Sequence, residues 1–83
     1  MWTEEKDHLK ASFKFKGFPE AMAFMMEVAF ACEKADHHPD WRNVWNRVDI
    51  TLSTHSAGNT VTEKDHALAK VIDKIFEATK KQN

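Results

Sequence analysis

The segment Glu33-Lys34-Ala35-Asp36-His37-His38-Pro39-Asp40-Trp41 gathers adjacent histidines, carboxylates and an indole, and Ser53-Thr54-His55 supplies a further histidine downstream. Imidazole is the side chain whose ordinary pKa, about 6.5, lets it give or take a proton near neutrality. Histidines clustered in so short a chain point to acid/base chemistry. Two of them with different partners can drive an elimination, one donating to a leaving hydroxyl while the other accepts the proton lost from a neighbouring nitrogen or carbon. Such a reaction requires no metal or organic cofactor, and each positioned acid or base contributes typically about 10²–10⁴-fold in rate. Glu33 or Asp36 can fix an imidazole's tautomer by accepting its second N–H.

Plainer uses of the same residues stand beside this one: capping, solvated surface histidines, or a metal site. The metal reading is the weaker, because the chain has neither a helical His-x-x-x-His pair nor paired cysteines, and adjacent histidines rarely converge on one ion. Trp41 and Trp45 can stack on a flat heterocycle, but four residues apart they more often pack in a core or an interface. Asp65 follows Thr62 by three residues and reads first as a helix-capping carboxylate. His8 and His66 lack supporting groups and read as solvated. Met22, Met25 and Met26 read as adaptable core unless they face a partner helix.

These residues have to be positioned by regular elements. Leu9, Ala11, Phe13 and Phe15 alternate with Lys10, Ser12 and Lys14, the period of a half-buried strand. Gly17 breaks it, and Pro19 opens a helix that runs to about Ala35 on a stripe of Met22, Met25, Met26, Ala29 and Cys32, with Phe18 at its start. Pro39 forces the chain out of that helix, so His37 and His38 lie at a helix exit and point in different directions. Val44, Val48, Ile50 and Leu52 alternate with Trp45, Arg47, Asp49, Thr51 and Ser53 and predict one further strand, with Asn46 a polar exception and His55 at its far end. There the three imidazoles of His37, His38 and His55 can meet in one cleft. Ala57-Gly58-Asn59 turns the chain, and after the Thr62 cap, Leu68, Val71, Ile72, Ile75 and Phe76 form the stripe of a final helix whose tail, Lys80 to Asn83, frays. Trp2 to Glu5 adds a short strand. The order strand, strand, helix, strand, helix gives an α+β fold, a two-layer sandwich with an antiparallel sheet of three or four strands and the helices on one face.

The bulk properties bound the function. With 83 residues, 42% of them hydrophobic, residues 1–83 form a single domain with a small core, and association is an expected extra source of stability. The 12 basic and 13 acidic residues leave a net charge of −1 with no block of either sign, which argues against direct binding of nucleic acid. The run from Ala21 to Cys32 is too short to span a bilayer, and the polar start is no signal peptide, so a soluble chain without membrane contact is expected. The lone Cys32 reads as a small buried hydrophobe and suits a reducing, cytoplasmic setting.

The pattern Glu33-x-x-Asp36-His37-His38-Pro39-x-Trp41-x-Asn43-Val44-Trp45-Asn46-x-Val48, followed by Ile50-Thr51-Leu52-Ser53-Thr54-His55, closely resembles the pterin-4a-carbinolamine dehydratase family. The likeness extends more loosely through Phe13-x-Phe15, Phe24-Met25 and Asp65-x-x-Leu68-Ala69. It implies dehydration of a 4a-hydroxytetrahydropterin to the quinonoid dihydropterin, the recycling step after aromatic amino-acid hydroxylation, without added cofactor. By position, His37 and His55 resemble the family's proton-exchanging histidines and His38 its substrate-positioning one. Asp36, Ser53 and Thr54 then line the pterin, with Glu33, Pro39, Trp41 and Asp65 in support. The resemblance also implies homodimers or homotetramers built by sheet extension and helix packing, and, as in animal members, a protein partner such as a transcription factor or hydroxylase. The chain departs from the family pattern by opening near its first strand, where many members carry a leading helix, and by a Ser56–Lys64 connection about a residue longer.

Overall fold

A computed structural model describes residues 2–81. Its elements follow in the order β1 (Thr3–Glu5), β2 (His8–Lys14), α1 (Phe18–Ala35), β3 (Asp40–Val44), β4 (Arg47–Leu52) and α2 (Glu63–Lys81), with a short 3₁₀ turn at His55–Ala57. The strands form one antiparallel sheet in the order β1-β2-β4-β3. The expected α+β sandwich is therefore present, with both helices contributing to a core built on one face of the sheet.

Alternation in the two central strands produces that face. Leu9, Ala11 and Phe13 of β2 stand opposite Leu52, Ile50 and Val48 of β4. Directly opposed residues share a side of the sheet, so these six side chains make one apolar surface. Ala21, Phe24, Val28 and Cys32 of α1 and Leu68, Ala69, Ile72 and Phe76 of α2 close over it. Phe24 is the α1 member of an aromatic cluster: its ring centroid lies 5.1 Å from Phe13, 4.8 Å from Phe15 and 6.0 Å from Phe76.

Two readings of the sequence are corrected here. The segment from Val44 to Ser53 is not one strand but the end of β3, a two-residue turn at Trp45-Asn46, and β4. The turn changes the phase of the alternation: Val44 pairs with Arg47 and faces away from the core, while Val48, Ile50 and Leu52 face it. Asn46, the polar exception in the one-strand reading, sits in the turn and donates a side-chain N–H to the Phe15 carbonyl at 3.0 Å.

The second correction concerns α1. Its buried row is Ala21, Phe24, Val28 and Cys32, whereas Met22 and Met26 are exposed and Met25 packs only partly against the core. The helix is apolar nearly all round, so spacing alone cannot choose its inner face. Phe18, Met22, Met26 and Phe30 form an outward row at four-residue intervals, with Phe30 71% exposed. In α2, Val71 is likewise exposed beside the expected core residues. His8 and His66 are exposed, as expected. The helix continues through Lys81, so Lys80 and Lys81, expected to belong to a frayed tail, are helical, while Gln82 and Asn83 lie outside the described residues.

Truncating Phe24 to Ala removes the ring that joins helix to sheet and is expected to lower stability by about 3–5 kcal/mol. Urea unfolding checks this, and a loss under about 1 kcal/mol would contradict the place given to Phe24.

Candidate functional site

The site begins where α1 ends. Asp36 takes a left-handed conformation (φ 52°, ψ 45°), and the N–H groups of Asp36 and His37 return to the carbonyls of Glu33 and Cys32, both at 3.1 Å. This is the Schellman arrangement, which reverses the chain abruptly. Asp36 accepts the left-handed geometry because a short polar side chain tolerates it better than most. Past the reversal His37 is buried, 8% exposed, while Asp36 and His38 face solvent.

His37 meets Asp65 from the first turn of α2: Nε2 lies 2.6 Å from Oδ1. Asp65 is wholly buried. Its other oxygen accepts the backbone N–H of Thr62 at 2.9 Å and the hydroxyl of Thr54 at 2.7 Å. Thr54 Oγ1 is also 2.6 Å from Thr62 Oγ1. Since the single hydroxyl hydrogen of Thr54 goes to the carboxylate, Thr62 is the donor in that contact. Asp65 thus caps its helix, as expected, and also binds His37.

Burial is the largest influence on Asp65 and opposes its ionisation. The hydrogen bonds from His37, Thr62 and Thr54, with the charge on His37, outweigh it and hold the carboxyl below its ordinary range. An ionised Asp65 accepts an N–H from Nε2 of His37, which turns Nδ1 of that ring away from the bond.

The remaining candidates spread around this centre. Exposed His38 places Nε2 2.9 Å from Glu33 Oε1, so Glu33 is the tautomer-fixing carboxylate of His38 rather than of His37. Asp36, offered for the same task, serves in the helix reversal instead. Pro39 and Ser53 are half-buried, and Trp41 packs against the core beside Ile50, its partner across β3 and β4. His55 does not end a strand. It opens the 3₁₀ turn, is exposed, and sets Nδ1 2.8 Å from Oδ1 of Asn59.

No hydrogen bond joins the three imidazoles to one another among the described residues; Asp65 and Thr54 link the two histidine segments. A groove of about 500 Å³ between α1 and α2 is lined by Ala31, Lys34, Ala35, His37, Lys64, Ala67, Leu68 and Val71. His38 and His55 do not line it. Sequence reasoning missed Thr62 as a donor within the site and Asn59 as a partner of His55. A threonine just before the helix and an asparagine four residues after a histidine were the available signals.

The Asp65 network fixes the sign of a pH effect. A carboxyl held below its unfolded value, about 3.9, contributes stability that is present above that value and lost as pH falls through the folded one. Wild type is therefore expected to lose stability below about pH 4 more steeply than Asp65→Asn, as measured by chemical unfolding across pH. Near neutrality Asp65→Ala, which strands Thr54, Thr62 and His37, is expected to cost about 3 kcal/mol. Parallel pH curves for wild type and Asp65→Asn would refute this account of the network.

Residues 1–75 match the family model for pterin 4 alpha carbinolamine dehydratase. A protein of Rhodospirillum rubrum provisionally named pterin-4-alpha-carbinolamine dehydratase is 55% identical over 73 residues, which make up 88% of this chain and 75% of the relative. The crystal structure of a transcriptional coactivator/pterin dehydratase from Brucella melitensis superposes with a TM-score of 0.86 at 45% identity, covering 90% of this chain and 81% of that one. A pterin dehydratase-like protein described as a RuBisCO assembly factor in the alpha-carboxysome shares the fold, with a TM-score of 0.73 at 24% identity over 90% of this chain and 86% of its own. The chain, with its paired histidine segments and its four-stranded sandwich, belongs to the pterin-4a-carbinolamine dehydratase family.

Proposed function

We propose that this chain, as one cytoplasmic domain, dehydrates a 4a-hydroxytetrahydropterin to the quinonoid dihydropterin by histidine acid/base catalysis. The observation that carries the reading is Asp65, a buried carboxylate that ties His37 to Thr54, the residue preceding His55, and so links the two histidine segments. In the reaction one histidine protonates the 4a-hydroxyl, the C–O bond breaks and water leaves. The lone pair of the adjacent ring nitrogen forms the new C=N bond, and the second histidine takes the N–H proton. His37 and His55 exchange these protons, and His38, steadied by Glu33, holds the ring. Asp36 and Ser53 face the ligand, while Thr54, its hydroxyl engaged by Asp65, shapes the wall behind them. Pro39 and Trp41 support the segment from behind.

Little else is needed of the protein. A carbinolamine expels hydroxide with help from its own nitrogen, so orientation and two proton transfers suffice. Stopped-flow absorbance of freshly generated carbinolamine is expected to decay faster with the wild-type protein than in buffer. His37→Ala is expected to lose about 10²–10⁴-fold of that acceleration. Correctly folded wild type that leaves the decay unchanged would overturn the reading.

A second role is favoured by the outward row of α1. Phe18, Met22, Met26 and Phe30 expose an apolar surface that the core does not use, and such surfaces mark sites of association. It supports homodimers or homotetramers, or a protein partner, in line with the Brucella melitensis relative described as a transcriptional coactivator/pterin dehydratase. Sedimentation at micromolar concentration is expected to show an oligomer that Met26→Glu and Phe30→Glu weaken. A wild type that sediments only as a monomer would remove self-association.

A further inference from the structure

We propose that Asn59 is a positioning residue that holds His55 in the Nδ1–H tautomer and thereby presents Nε2 as the proton acceptor of the dehydration. The observation is the 2.8 Å contact between His55 Nδ1 and Asn59 Oδ1. An amide oxygen can only accept, so the ring nitrogen facing it carries the hydrogen. A neutral imidazole has a single N–H, which leaves the lone pair on Nε2.

The backbone holds this amide in place. Gly58 and Asn59 are both left-handed, with φ of 86° and 59°, and asparagine is among the few residues other than glycine that take this conformation readily. The Gly58 N–H donates to the His55 carbonyl at 3.1 Å, and the Asn59 N–H donates to the Thr54 carbonyl at 3.0 Å. Thr54 N–H in turn donates to the Thr60 carbonyl at 2.8 Å. The loop thus closes back on the residue preceding His55, and that residue is itself anchored to Asp65.

The partner's chemistry separates His55 from the other two histidines. His37 and His38 face carboxylates, Asp65 and Glu33. An amide orients a ring as a carboxylate does but places no negative charge beside it. A neutral imidazole with Nε2 free is the form suited to receive a proton, so the geometry assigns the acceptor role to His55.

The proton-acceptor role rests on the dehydratase reading, whereas the tautomer does not, and the test separates them. Two-bond ¹H–¹⁵N NMR of histidine-labelled protein, at a pH well above the imidazole titration, is expected to show His55 protonated at Nδ1. Asn59→Gly, which keeps the left-handed backbone unstrained, is expected to shift His55 toward Nε2–H. Its kcat is expected to fall about three- to tenfold, the weight of one hydrogen bond, with KM unchanged, as for a residue that acts through His55. Asn59→Asp keeps an acceptor in place and is expected to restore the tautomer. Wild-type His55 found as Nε2–H, a tautomer indifferent to Asn59→Gly, or a switched tautomer with unchanged kcat would each overturn the proposal. A tautomer switch in a protein whose wild type accelerates no dehydration would remove the acceptor role along with the dehydratase reading, and leave only the hold of Asn59 on the ring.

Discussion

The structure depends on a carboxylate with no access to water. An ionised aspartate removed from solvent is tolerated only when its oxygens are hydrogen-bonded and an opposite charge or strong donor lies beside it. Asp65 draws those partners from three parts of the chain: Thr62 at the start of its own helix, Thr54 after β4, and His37 after α1. Removing any one of them strands a buried polar group. The end of the first helix, the end of the central strand and the start of the second helix are therefore fixed together. The histidine segments are parts of that junction rather than attachments to a finished scaffold.

Local backbone geometry then decides what each histidine does. The left-handed residue Asp36 turns the chain so that consecutive histidines separate, His37 inward and His38 to solvent. Left-handed Gly58 and Asn59 fold the second loop back over His55. Each ring ends with its own acceptor: a buried carboxylate, an exposed carboxylate and an amide. Identical side chains acquire distinct proton-handling properties in this way, since the partner of one ring nitrogen fixes the state of the other. An exposed pair such as His38 and Glu33 adds little to stability, so its effect is on orientation.

Much of this was legible in the chain. The alternation of β2, the extents of both helices and the cap at Thr62 follow from local rules, and local rules describe them correctly, whereas the exit from α1 is made by the left-handed Asp36 before Pro39 is reached. The β3–β4 turn was hidden because it lacks a glycine and places Trp45 at φ 51°, a conformation rarely given to so bulky a residue. Val44 and Val48 also keep an even spacing that mimics an unbroken strand. The His37–Asp65 bond was hidden for another reason: its partners are 28 residues apart, and capping already explained Asp65. Glu33 and Asp36, nearer in sequence, were the obvious acceptors, but the helix reversal turns His37 away from both.

The same bond bears on the one element whose orientation hydrophobicity leaves undecided. With apolar residues on both sides, α1 can bury its methionine row or its Ala21-Phe24-Val28-Cys32 row at comparable gain in apolar area. A rotation by one residue, about 100°, would carry the Schellman reversal and His37 around the helix axis and break the directional contact with Asp65. Phe24 would leave the rings of Phe13, Phe15 and Phe76 at the same time. Directional polar contacts and close packing thus select the inner face where bulk hydrophobicity cannot. The apolar row left outside follows from that selection: once His37 is committed to Asp65, Phe18, Met22, Met26 and Phe30 have no place in the core and remain at the surface.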